Sequence, residues 1–161
     1  MKNLFDLTGK KAIVTGAAQG LAHGMAEGLM EAGAEVAIID LSARIGEVAK
    51  EFCDKGFRCH GIQADLGDVA QREKSFHDAV SAMGGLDILV NAAGVQKRHK
   101  SEEFPLSDWD FVLNVNLTSV FHLCQLAARH YLPPGGRKNI NNASMLSSFG
   151  GFTEPANAAS N

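Results

Sequence analysis

Eight residues near the start of the chain, Thr15-Gly16-Ala17-Ala18-Gln19-Gly20-Leu21-Ala22, restrict its possible folds more than any other stretch. They follow Lys11-Ala12-Ile13-Val14-Thr15, a β-branched run that reads as a buried strand. They precede a stretch in which Leu21, Met25 and Leu29 recur every four residues until Gly33 closes the pattern, as expected of a helix. A glycine-rich turn between strand and helix gathers backbone N–H groups and the positive end of the helix dipole where an anion can sit. Gly16 permits the tight turn and Gly20 lets backbone approach phosphate. With Gln19 and Leu21 they form a candidate pyrophosphate site for a dinucleotide.

The rest of the pattern supplies the context that such a turn needs. Glu35 to Asp40 reads as a second buried strand ending in a carboxylate, 20 residues beyond Gly20. At that place Asp40 accepts hydrogen bonds from a ribose 2′-hydroxyl and repels a 2′-phosphate, which favours NAD over NADP. Helical stretches around Ile45 to Lys55 and Val69 to Met83, the latter with Phe76, Val80 and Met83 on one side, alternate with strands at Phe57 to Ile62 and Leu86 to Asn91. Ser107-Asp108-Trp109-Asp110 has a capping-box pattern and opens a long helix through Val112, Val115, Val120, Leu123 and Ala127 to about His130, ended by Pro133-Pro134-Gly135-Gly136. Lys138 to Ser144 makes a fifth strand, although Asn139, Asn141 and Asn142 are poor strand formers. Strands alternating with helices at this spacing predict an α/β fold, a doubly wound parallel sheet in a Rossmann-like three-layer αβα arrangement.

Composition narrows the partners. At 161 residues the chain suits one domain over 1–161, and 45% apolar against 20% charged residues excludes a disordered or collagen-like chain. A net charge of −3 gives no reason to expect nucleic acid or an anionic membrane as partner. No signal peptide opens the chain and no run approaches the ~18 apolar residues of a spanning helix, so the cytosol is the expected compartment. Cys53, Cys59 and Cys124 form no Cys-x-x-Cys pair, and the six histidines lack ligand spacing, so neither a disulfide framework nor a metal is expected.

The Gly-x-x-x-Gly-x-Ala spacing resembles the turn of the short-chain dehydrogenase/reductase family, and other segments extend the resemblance along the chain. Asp65-Leu66 is similar to that family's adenine-contacting pair. Asn91-Ala92-Ala93-Gly94 is similar to its signature after strand four, which would place Asn91, Ala93 and Gly94 beside the cofactor. Asn114-Val115-Asn116 resembles the helix segment whose second asparagine serves the active site, and Asn142-Ala143-Ser144 resembles the strand end bearing the catalytic serine. The resemblance implies hydride transfer between a nicotinamide and a carbinol or carbonyl carbon, with Asn116 and Ser144 as candidate active-site residues. Val95-Gln96-Lys97-Arg98-His99 and Glu103-Phe104-Pro105 are similar to the branch acting on gluconate-type sugar acids. Lys97 and Arg98 are then candidates for pairing with a substrate carboxylate, or simply a solvated basic loop.

Two positions depart from the family. Its tyrosine and lysine fall, by register, on Asn157 and Asn161. An amide does not ionise near neutral pH, so neither residue can give or take the proton that accompanies hydride transfer, and negligible turnover is expected. Five strands are counted where doubly wound dinucleotide folds commonly have about six, so the chain reads as ending after the fifth, C-terminally incomplete relative to the family. That would leave strand five as an open edge and make the family's homo-oligomers doubtful for this chain. A catalytically silent NAD-binding module and a degraded copy are the alternatives to an impaired enzyme.

Overall fold

A computed structural model of the chain describes residues 4–131 and 138–160. Its sheet has five strands: β1 (Lys11–Thr15), β2 (Glu35–Asp40), β3 (Cys59–Gln63), β4 (Ile88–Asn91) and β5 (Lys138–Asn141). They lie in the order β3-β2-β1-β4-β5 and every neighbouring pair is parallel. The helices are α1 (Gly20–Glu31), α2 (Ile45–Asp54), α3 (Val69–Met83), α4 (Leu106–Leu113), α5 (Ser119–Tyr131), α6 (Leu146–Phe149) and α7 (Pro155–Ala159), with a 3₁₀ turn at Ser101–Glu103.

The expected three layers follow from alternation along the strands. Val14, Val36, Ile38 and Val90 project from one face onto Ala26 and Met30 of α1 and Val48 and Phe52 of α2. Ile13, Ala37, Ile39 and Leu89 project from the other onto Phe76, Ala79 and Met83 of α3 and Leu123 and Ala127 of α5. With both faces covered, β1 and β2 carry apolar runs and no polar alternation, as the sequence suggested. The order of strands reverses between β1 and β4. A parallel sheet opens a crevice at the carboxyl ends of its strands at such a point.

Several local expectations are corrected. The buried line of α1 is Ala22, Ala26 and Met30, one residue on from Leu21, Met25 and Leu29; Leu21 is 77% exposed. Ala22 and Ala26 hold the middle of that face where the helix packs on the sheet, with Met25 and Leu29 partly buried beside them. Strand β3 begins two residues later than expected, at Cys59. The Ser107–Asp110 capping box does not form: the N-cap is Pro105, with no side-chain cap bond, and Ser107 lies inside the helix. Asp108 pairs with Lys97 and His99. Val120 and Val80 are only partly buried, whereas Leu126 and Arg72 are buried. Strand β5 is exposed at all four residues and stops at Asn141, short of Ser144. The Pro133–Gly136 stop lies outside the described residues.

Between α4 and α5 the helix widens into a π-helical segment, Asn114–Thr118, which the sequence did not predict. Taken together, Leu106–His130 is long and apolar enough to cross a membrane by length and composition, contrary to the expectation that no run qualifies. In this fold Val112, Val115, Leu123 and Ala127 of that helix are buried. Leu106, Phe111, Leu117 and Phe121 on its other side are exposed.

Candidate functional site

The glycine turn is shaped by contact with the strand beside it. Gly16 has φ +76°, and a Cβ there would lie 2.7 Å from the Ala93 Cα. No side chain fits, so the turn can close against β4's exit only with glycine. Thr15 completes the junction: its Oγ1 is 3.1 Å from both Ala92 N and Ala93 N and accepts from each. Gly20, φ +66°, opens α1, and its missing side chain would meet nothing within 4 Å. Gln19 at the N-cap makes no side-chain cap bond and the first turn carries no acid, so the helix's positive end has no internal counter-charge.

Asp40 binds this turn to the end of β2. Its Oδ2 accepts from Ala18 N and its Oδ1 from Ser42 N, both at 2.9 Å. A carboxylate oxygen has more than one lone pair, so each retains capacity for a hydroxyl. Gly16, Gln19, Gly20, Asp40, Ala93 and Gly94 line a cleft of about 490 Å³ at the strand-order reversal. Asp65 and Leu66, from the loop after β3, form its far wall. Arg44 also reaches this cleft, where it pairs with Glu47 at 3.8 Å. The open backbone at Gly20, the uncapped helix end and the carboxylate at the β2 terminus form a cradle that fits a dinucleotide.

Two of the residues expected there do not line the cleft: Leu21, on the exposed side of the first turn, and Asn91. Asn91 lines an adjoining cleft of about 400 Å³ instead, which it shares with Ala93, Gly94, Asn116, Ser144 and Asn157. It is buried, and its Nδ2 donates to Asn141 Oδ1 at 2.9 Å, joining β4 to β5.

Asn116 is the hub of this second cleft. From the π-helical segment its Oδ1 accepts from Val95 N at 2.8 Å while its Nδ2 donates to Val95 O at 3.0 Å. The same Nδ2 lies 3.3 Å from Asn157 Oδ1 and 3.2 Å from Ser160 Oγ, both on or beside α7. A widened turn suits such a residue, because it turns asparagines out of the regular helical register: Asn114, two residues earlier, reaches Gly67 O at 2.7 Å. Ser144 Oγ accepts from Leu146 N at 3.2 Å. Ser144, Asn116 and Asn157 line the same cleft, while Asn161 lies outside the described residues.

Lys97 and Arg98 line neither cleft. Lys97 Nζ lies 3.7 Å from Asp108 Oδ1 and 5.6 Å from the centre of the Phe111 ring. Arg98 Nε is 2.7 Å from Glu154 Oε1. Both cations therefore face carboxylates of the chain itself. Glu154 is a residue that sequence reasoning missed: it is buried and lines the second cleft. Thr15 and Arg72 were missed too: Thr15 acts on Ala92 and Ala93, far along the chain, and the buried Arg72 is bonded to Leu66 and His122.

Residues 10–161 match the family model described as short chain dehydrogenase. The chain belongs to that family. Among curated relatives, it is 40% identical over 159 residues to 2-dehydro-3-deoxy-D-gluconate 5-dehydrogenase of Dickeya dadantii, covering 98% of this chain and 62% of the relative. It is 38% identical over 165 residues to 5-keto-D-gluconate 5-reductase of Escherichia coli, covering 99% and 63%. A solved structure from Beutenbergia cavernae, provisionally named an NAD(P)-dependent gluconate 5-dehydrogenase and holding NADP at low occupancy, superposes with TM-score 0.92 at 35% identity, over 98% of this chain and 63% of that one. Another, from Agrobacterium tumefaciens, provisionally named a 2-deoxy-D-gluconate 3-dehydrogenase and holding NADP, gives 0.87 at 40%, over 99% and 63%. The chain thus spans under two thirds of the length of these relatives.

Proposed function

We propose that residues 1–161 form a single dinucleotide-binding unit of a cytoplasmic sugar-acid oxidoreductase that favours NAD over NADP. The observation that carries the reading is Asp40, whose carboxylate is fixed to the glycine turn at Ala18 and stands in the wall of the larger cleft. Placed there it accepts from a ribose hydroxyl and opposes a phosphate on the same carbon. Gly16, Gln19 and Gly20 hold the pyrophosphate; Asp65 and Leu66 flank the adenine; Asn91, Ala93 and Gly94 shape the nicotinamide side. The names of the relatives support a gluconate-type substrate, and the two NADP-holding neighbours make cofactor choice the point to test.

A bound nicotinamide supplies the acceptor or donor of a hydride. In this chain Ser144 steadies a substrate oxygen and Asn116 holds the Val95 backbone that floors the cleft. Asn157 contributes an amide that can hydrogen-bond a carbonyl but moves no proton. Binding without appreciable turnover is the outcome, since general acid–base catalysis is worth ~10²–10⁴ in rate. Lys97 and Arg98 reach a substrate carboxylate only by leaving Asp108 and Glu154.

Calorimetric titration with NADH and NADPH tests the reading. Binding of NADH at least about tenfold tighter than NADPH, with the preference lost in Asp40→Asn, is expected for a charge–phosphate opposition worth about 1.4 kcal/mol. Equal or tighter NADPH binding would reverse the cofactor assignment.

A further inference from the structure

The far wall of the larger cleft is held from behind by a buried cation. Arg72, the fourth residue of α3, is 1% exposed and does not line the cleft. Its Nε donates to Leu66 O at 2.7 Å. That carbonyl belongs to the Leu66–Gly67 peptide, whose N–H, on Gly67, donates to Asp65 Oδ1 at 2.7 Å. One peptide plane is therefore clamped at both ends, and the Gly67 carbonyl that follows is held by Asn114.

The other side of the guanidinium is fixed by α5. Arg72 Nη1 lies 3.1 Å from His122 Nδ1. A guanidinium has only hydrogens to offer, so Nδ1 accepts and the network places the ring's proton on Nε2, which faces Glu73 Oε1 at 3.4 Å. Among the described residues, Arg72 Nη2 is one of the few buried side-chain atoms without a partner.

This is a costly way to fill space. Burial lowers the Arg72 pKa against the opposing pull of Asp65, Asp68 and Glu73. The charge also lies near the positive end of α3, where a cation is disfavoured. An apolar residue would pack there without either cost. What the guanidinium adds is a charged donor aimed at one carbonyl of the cleft wall.

We propose that Arg72 is a positioning residue for the dinucleotide: by holding the Leu66 carbonyl it sets the Asp65–Leu66 wall against the adenosine half of the ligand. The proposal rests on the dinucleotide reading of the larger cleft.

Binding of two half-ligands tests it. ADP-ribose probes the adenosine half, reduced nicotinamide mononucleotide the other, and NADH the whole. In Arg72→Met, affinity for NADH and ADP-ribose is expected to fall about tenfold, the cost of one charged hydrogen bond, while the mononucleotide changes by less than about twofold. Arg72→Lys, whose ammonium can approach the same carbonyl, regains part of the ADP-ribose affinity. If Arg72→Met does not fold, Arg72→Lys carries the same comparison. An equal loss for both halves, or unchanged ADP-ribose binding, overturns the proposal alone. Failure of the unsubstituted chain to bind NADH overturns the dinucleotide reading and this proposal with it.

Discussion

Thr15 and Ala93, 78 positions apart in sequence, meet where the chain folds back on itself: the threonine Oγ1 accepts from the Ala93 N–H at 3.1 Å, as it does from Ala92. One hydroxyl thus fixes the distance between the glycine turn after β1 and the loop after β4, the two lips of the larger cleft. Thr15→Val keeps the shape and removes the acceptor. It is expected to cost about 2 kcal/mol, because two N–H groups lose their partner. Chemical denaturation measures this, and a loss below about 0.5 kcal/mol would mean that water replaces the hydroxyl without cost.

Two glycines in neighbouring elements should respond oppositely to alanine. Gly16→Ala places a methyl against the Ala93 backbone at a positive φ and is expected to destabilise by about 3 kcal/mol. Gly24→Ala, inside α1 with nothing within 4 Å of the added carbon, is expected to stabilise by about 0.5–1 kcal/mol. Thermal melts of the two variants check the contrast in sign.

Glu154 lines the second cleft and pairs with Arg98, which does not. Glu154→Gln keeps the side chain's shape, releases Arg98 and removes a negative charge from the second cleft. Gluconate affinity in the presence of NADH is expected to rise about fivefold, on the order of 1 kcal/mol. A decrease would show that Glu154 itself receives the substrate's hydroxyls.

The cysteines separate by burial. Cys53 is exposed, whereas burial pushes the Cys59 thiol up to about 12. A thiol reagent near pH 8 should modify Cys53 within minutes and Cys59 only on unfolding, read by mass spectrometry of the labelled peptides. The raised value also has a stability consequence. Below the unfolded thiol's ordinary value the neutral form prevails in both states; above it the unfolded chain ionises first. Stability contributed by Cys59 is therefore lost as pH rises from about 8.5 toward about 12, and Cys59→Ala should flatten that part of the profile.

Local signals carried much of the fold. Lys11–Thr15, Glu35–Asp40 and Val69–Met83 were legible because apolar runs and turn residues mark their ends within the sequence itself. The face of α1 was misread by one residue, since periodicity ranks Leu21 above Ala22, whereas Ala22 and Ala26 hold the middle of the face packed on the sheet. The Ser107–Asp110 capping box did not form because α4 already begins at Leu106, with Pro105 as its N-cap, which places Ser107 inside the helix. In the site, the glycine turn and Asp40 stood out by spacing alone. Thr15, Arg72 and Glu154 did not: a buried hydroxyl, guanidinium or carboxylate acquires its role only from partners brought to it by the tertiary fold.

Hydrogen exchange on the unsubstituted chain with saturating NADH tests the central claim most directly, since it locates the ligand on the backbone. Slower exchange confined to residues 16–22, 40–42, 65–67 and 92–95 is the expected result. Unchanged exchange in the glycine turn, with protection elsewhere or nowhere, would contradict a dinucleotide site at the carboxyl ends of β1, β2 and β4.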